Sequence, residues 1–297
     1  MKSGQFTIPY STSYPGLSFN NQLNILEVIG DWGIMSNQNH KMMTTAGSFS
    51  DAPDSLFNGD YLFEVVYSEN VGTLIFSGHG HGGSIQVYII TQNSNWNKIE
   101  SSDKYLNSFE NPASSSDHHN FGVVEHGDKI YLVGVYLGGS QNTIQVVNFL
   151  NVGTIEEART RDWILIGKLK NAVYRPAVIY SNEQLLVVGY TGSSSNCQDV
   201  QYLNLASNTS GVYKGTIDCG VYSGHYYPGM YNTPGGNVSM FGGQKATKSC
   251  IQQTKSSEDL DTKWTCISSS DSSLEGLVYP YSNYDGGARL RYVNFVL

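Results

Sequence analysis

One unit recurs along the whole 297-residue chain, and it restricts the possible folds more than any other feature. An apolar run leads into a tight polar turn, and a second apolar run follows and closes on glycine. The unit reads YPGLSFNNQLNILEVIGD from Tyr14, YLFEVVYSENVGTLIFSGHG from Tyr61 and HNFGVVEHGDKIYLVGVY from His119. It returns as YRPAVIYSNEQLLVVGYTG from Tyr174, YYPGMYNTPGGNVSMFGGQ from Tyr226 and EGLVYPYSNYDGGARLRYV from Glu275. The starts lie 47 to 58 residues apart. Self-similarity at such a period marks an array of small supersecondary units, each too small to bury its own apolar face. The runs are short and punctuated by Gly, Asn and Ser, which is the pattern of strands rather than helices.

Each complete copy continues in the same order. A third run follows, such as Ser84–Thr91 (SIQVYIIT) and Thr143–Leu150 (TIQVVNFL). A fourth often opens on an aromatic residue: Trp96, Trp163, Tyr213 and Trp264. Four strands in about 50 residues is the size of one propeller blade. The motifs KIYLVG (Lys129–Gly134), MFGG (Met240–Gly243) and Tyr88 followed by Trp96 resemble those of the kelch family of repeats. The Gly-Gly pair is intact only in the fifth copy, and the Trp position is missing from the first and fourth. The resemblance implies an all-β, kelch-like β-propeller, expected here as one domain over residues 1–297 with six blades of about four antiparallel strands. The blades are expected at 14–60, 61–118, 119–173, 174–225, 226–274, and 275–297 joined by 4–12. In that reading Gln5–Ser11 completes the last blade and closes the ring, removing open sheet edges. Ala288–Leu297 also resembles a third strand, which would split the last blade differently. Five blades and an irregular closing element is the other arrangement open at this point.

Charged residues make up 14% of the chain, against about 25% in an average soluble protein, and 21 Tyr help fill the difference. The net charge is −8, and no basic cluster is present to neutralise phosphates, so no nucleic-acid partner is expected. No run reaches the length of a transmembrane segment. Met1–Tyr10 has no apolar core of a signal peptide, and the polar, Tyr-rich composition leads us to expect a secreted, extracellular protein whose signal has been removed. A cytosolic protein with a native Met1 is the alternative.

The four cysteines fall in the fourth and fifth copies. Cys197 and Cys250 precede third strands, and Cys219 and Cys266 lie in fourth strands. Neighbouring antiparallel strands bring Cα atoms within about 4.5–5.5 Å, so bridges Cys197–Cys219 and Cys250–Cys266 are expected, in an oxidising compartment. Four free buried thiols are the alternative. A zinc site is disfavoured by the spacing. Sequons at Asn208 (NTS) and Asn237 (NVS) are compatible with secretion.

Chemistry-bearing residues gather in the connections from strand two to strand three and from strand four to the next strand one, which share one propeller face. Candidate ligand-binding residues are Tyr14, His79, His81, His119, Tyr136, Tyr174, Arg175, His225, Tyr226 and Tyr227. Aromatic faces with imidazole and guanidinium donors suit a sugar or a peptide. Each Tyr could equally pack between blades. The segment Gly78–Gly83 (GHGHGG) lacks the helix a dinucleotide fingerprint needs, and reads as a glycine-rich turn with exposed histidines; a metal site of His79 and His81, joined by His118 and His119, is the alternative. Kelch domains often carry a basic residue before strand one, so the resemblance implies an anion-facing role for Arg175, with pairing to Glu183 as the alternative. No hydrolase elbow or calcium loop is present, and no metal or cofactor is expected. The expected function is recognition of a glycan or an extracellular protein. A small-molecule enzyme with a central His/Tyr pocket, including a metal-assisted oxidoreductase, is the first alternative, and a structural or adhesive protein the second.

Overall fold

The structure is a computed structural model. It describes residues 16–20, 25–29, 40–44, 49–51, 63–77, 86–90, 96–100, 121–134, 141–154, 157–158, 160–190, 200–213, 229–232, 237–241, 251–253, 260–261 and 264–267. The described chain is all-β and antiparallel. The first sheet holds β1 (Gly16–Asn20), β2 (Ile25–Ile29), β3 (His40–Thr44) and β4 (Phe49–Asp51). The second holds β5 (Phe63–Ser68), β6 (Gly72–Ser77), β7 (Gln86–Ile90) and β8 (Trp96–Glu100). Then come β9 (Gly122–His126), β10 (Lys129–Val133), β11 (Gln141–Asn148), β12 (Ile164–Ser181), β13 (Gln184–Tyr190), β14 (Val200–Asn204) and β15 (Thr209–Tyr213) as seven strands in chain order. The last four are β16 (Gly229–Asn232), β17 (Val238–Phe241), β18 (Ile251–Gln253) and β19 (Thr265–Ile267).

The seven-stranded sheet is two four-stranded meanders sharing β12. Up to Val173 this 18-residue strand pairs with β11, and from Tyr174 onward it pairs with β13. Five meanders of four strands therefore follow one another, and each is counted below as one sheet, first to fifth. Their first strands lie side by side in chain order: β1 beside β5, β5 beside β9, β9 beside β12, and β12 beside β16.

The packing explains the apolar runs. Side chains alternate across a strand, and in the middle sheets both faces are covered. On β10, Ile130 and Leu132 join Leu74 and Phe76 of the second sheet. Tyr131 and Val133, on its other face, join Leu185 and Val187 of β13. On β13 itself, Leu186 and Val188 turn the opposite way and pack with Met230 and Val238 of the last sheet. The stretches IYLV (130–133) and LLVV (185–188) are therefore apolar at every position, since each residue meets one neighbouring sheet or the other.

Two tryptophans plug equivalent seams. Trp163, just before β12, sits edge-on to Phe76 of the second sheet with ring centroids 5.8 Å apart. Trp264, just before β19, is fully buried among residues of the fourth sheet. Trp163 is reached through a capped turn. The Thr154 hydroxyl accepts from the Glu157 N–H (3.2 Å), and the Glu157 carboxylate accepts from the N–H groups of Gly153 (2.7 Å) and Thr154 (3.1 Å). This reciprocal arrangement is a capping box, and its N–H donors hold the Glu157 carboxyl below the usual range.

Two details differ from the sequence reading. Tyr213 was expected to open the fourth strand of its copy, but it ends β15, paired with Val200. The cause is local: Asn204 Oδ1 accepts from the N–H groups of Ala206 and Ser207. This Asx turn reverses the chain within four residues, so β15 starts at Thr209. The first copy, which lacks the Trp, opens its fourth strand on Phe49.

First strands approach one another closely at Gly122 of β9. A Cβ there would lie 2.6 Å from Val178 Cγ2 and 3.0 Å from the Pro176 carbonyl oxygen, both on β12. Gly16, Gly122, Ala177 and Gly229 are equivalent: they pair with Ile29, Val133, Val188 and Phe241, each of which is followed by glycine. Replacing Gly122 with Ala is expected to lower stability by about 1–3 kcal/mol, since overpacking here pushes on backbone. A urea denaturation midpoint checks it, and an unchanged midpoint would mean the two strands separate without penalty.

Candidate functional site

Among the sequence-derived binding residues, Tyr174 and Arg175 lie in the described chain, adjacent on β12. Tyr14, His79, His81, His119, Tyr136, His225, Tyr226 and Tyr227 lie outside it. Cys197, Cys219 and Cys250 also lie outside. Cys266 stands opposite Gln252 in the β18–β19 pair, with Cys250 in the chain just before β18. No disulfide occurs among the described residues.

Tyr174 and Arg175 occupy the point where β12 leaves one sheet and enters the next. Tyr174 pairs with Tyr190 and Ala177 with Val188, so Arg175 and Pro176 together face the single residue Gly189. This is a β-bulge, and Pro176 fits it because the extra residue needs no ladder N–H. Bulges recur beside functional sites because they re-aim the strand.

The approach to the bulge is held by side-chain amides. Asn171 N–H donates to Gln201 Oε1 (2.7 Å), and Gln201 Nε2 donates back to the Asn171 carbonyl (3.2 Å). Gln201 is 1% exposed, so its amide acts as one more peptide unit where the ladder to β11 is interrupted between Lys168 and Val173. Asn142 Nδ2 donates to the Leu169 carbonyl (2.9 Å). Three hydrogen bonds thus fix the backbone leading to Tyr174 and Arg175, and a rigid platform is what a binding site requires.

The opposite ends of the first strands carry a different chemistry. Their hairpin turns are linked from sheet to sheet. Asn70 in the β5–β6 turn donates to the Asp128 carboxylate in the β9–β10 turn. His126 stacks on Tyr180 at the end of β12, with ring centroids 3.4 Å apart and planes at 11°. Asn232 Nδ2 on β16 donates to the Tyr180 carbonyl (2.7 Å). Four consecutive sheets are tied by this girdle.

Within it, Glu125 is pushed up from 4.5 to about 7, first by burial and then by the negative charges of Glu69 and Asp128. His126 is lowered, by burial and by Lys129. Burial, with Tyr180 adding to it, raises Tyr131. No three His, Cys, Asp or Glu residues among the described ones converge to hold a metal ion. Glu125 thus shares this seam with the negative charges of Glu69 and Asp128, and it shifts between acid and carboxylate near neutral pH. Sequence reasoning did not single out these residues. The available signal was the repeat alignment itself, which puts Glu69 and Asp128 in equivalent turns.

Compared with known proteins, the chain matches no family model and no curated protein.

The Glu125 geometry has a direct consequence for stability. The folded state holds this proton more tightly than the unfolded chain does, so stability from Glu125 is complete below pH 4.5 and is lost as pH rises toward 7. Glu125→Gln is therefore expected to match the parent protein at pH 4 and to exceed it at pH 8, by about 1–2 kcal/mol once solvent screening of this half-exposed group is allowed for. Denaturant titrations of both proteins at the two pH values test this, and the difference cancels the opposite contribution of His126. An equal offset at both pH values would exclude the charge mechanism.

Proposed function

We propose that this chain is a secreted, kelch-like β-propeller of six blades that recognises a glycan or an extracellular protein through one face. The observation that carries the fold reading is the order of the first strands: β1, β5, β9, β12 and β16 run side by side, each opening its own four-stranded meander. Such an order is what radial blades around a central axis require. The sixth blade, from residues 275–297 with 4–12, would complete the ring.

The binding reading rests on the bulge at Arg175 and Pro176 and on the amide clamp at Asn171. In a propeller, the passage from strand four to the next strand one opens on the same face as the connections from strand two to strand three. That face would collect Tyr14, His79, His81, His119, Tyr136, Tyr174, Arg175, His225, Tyr226 and Tyr227. Rings stack on sugar or side-chain faces, and the cation fixes an anionic or hydroxylated group. The loops differ between copies, which favours one central site over one site per blade.

A glycan-array screen of the oxidised protein, with and without divalent metal, tests the reading. Saturable binding to one sugar family, weakened about tenfold or more by Arg175→Ala with unchanged thermal stability, is the expected result. Binding indifferent to Arg175→Ala and Tyr174→Ala would move the site off this face. Absence of sugar binding would leave a protein ligand as the form of the proposal, to be sought by crosslinking in extracellular fractions.

A further inference from the structure

We propose that Asn208, and not Asn237, carries an N-linked oligosaccharide, and that this sugar covers the open edge of β12. The inference rests on the secreted reading above. Both residues begin an Asn-x-Ser sequon, Asn208-Thr209-Ser210 and Asn237-Val238-Ser239. The fold separates them.

Asn208 is exposed and is the last residue of the turn between β14 and β15, with φ of 55°. Asn tolerates this left-handed backbone, so the position suits the residue before any modification. Its side chain makes no hydrogen bond among the described residues. The Oδ1 atom lies against the preceding sheet: a Cβ on Gly167 of β12 would sit 3.1 Å from it. The other amide atom, Nδ2, is the one that a glycan uses. Asn237 is only half-exposed, and the next residue, Val238, is fully buried in the seam between the fourth and fifth sheets. A bulky polar group there would stand against a closed apolar contact.

The position also explains an exposed edge. From Ile164 to Val173, β12 pairs with β11 on one side, and no strand among the described residues pairs with its other side. At its start, Ile164 and Leu165 are 60% and 42% exposed. An open apolar edge invites pairing with another chain. A hydrophilic sugar rooted beside Gly167 would stand over that edge and keep copies apart.

The modification joins Asn208 Nδ2 to the anomeric carbon of a lipid-diphosphate-linked oligosaccharide. The new N–C bond replaces the bond from that carbon to the diphosphate, which leaves with the electron pair, and the amide loses one proton. To test it, the protein is taken from the cells that make it and from their medium. Each fraction is treated with a peptide N-glycosidase in ¹⁸O-water, and the peptides are weighed. The expected result is extracellular protein with heavy-oxygen Asp at position 208 and unmodified Asn237. Extracellular protein with unlabelled Asn208 overturns the proposal and leaves secretion intact. Intracellular protein without label overturns both. Label at Asn237 overturns the selectivity. For the edge, Ser210→Ala removes the sequon without touching the left-handed residue. Sedimentation of this variant against the parent is expected to show self-association at concentrations where the parent stays monomeric, and identical sedimentation overturns the covering role.

Discussion

The structure depends on strands that are apolar on both faces. Ile130 and Leu132 face one neighbouring sheet, while Tyr131 and Val133 face the other. Leu185 and Val187 divide from Leu186 and Val188 in the same way. A sheet with two buried faces cannot stand alone, because each face needs a partner. The second and third sheets, the third and fourth, and the fourth and fifth therefore share seams, and the stability of each belongs partly to its neighbours. Trp163 and Trp264 are packed into two of these seams. Truncating such a residue typically costs about 3–5 kcal/mol.

From that constraint the two ends of the first strands acquire different characters. At one end, backbones come so close that glycine is needed at position 122, against Pro176 and Val178. There β12 must pass from one sheet to the next, and the buried Gln201 amide replaces the peptide partner that the passage removes. At the other end polar side chains link the hairpin ends. Asn70, Asp128, His126, Tyr180 and Asn232 make one hydrogen bond or ring contact per seam. The close end is bulged. The other end carries the acidic groups, and its Glu125 is half-buried where an ionised carboxylate is disfavoured.

The meanders were legible because their signals are local. Two runs around a short turn announce a hairpin, and an aromatic residue opening a fourth run marks the seam plug. These held for β8 and for the strands after Trp163 and Trp264. Tyr213 misled because an aromatic residue is not itself a start signal, and the Asx turn at Asn204 set the strand two residues beyond its own reach. That β12 runs through two sheets was hidden, since nothing in KLKNAVYRP breaks the strand pattern except the Pro that the bulge absorbs. The acidic seam was hidden for another reason. Glu69 and Glu125 are ordinary polar residues in their own hairpins, and only packing between sheets makes them neighbours.

The same logic bears on where recognition can sit. Residues that fill seams are fixed by two sheets at once, and any change there is felt as lost packing. At the bulge Arg175 and Pro176 share one partner, Gly189, and Pro176 is itself buried against Gly122 of β9. The chain leading into this short segment is held at Asn171 by the buried Gln201 amide and at Leu169 by Asn142, so the core sets where the bulge stands.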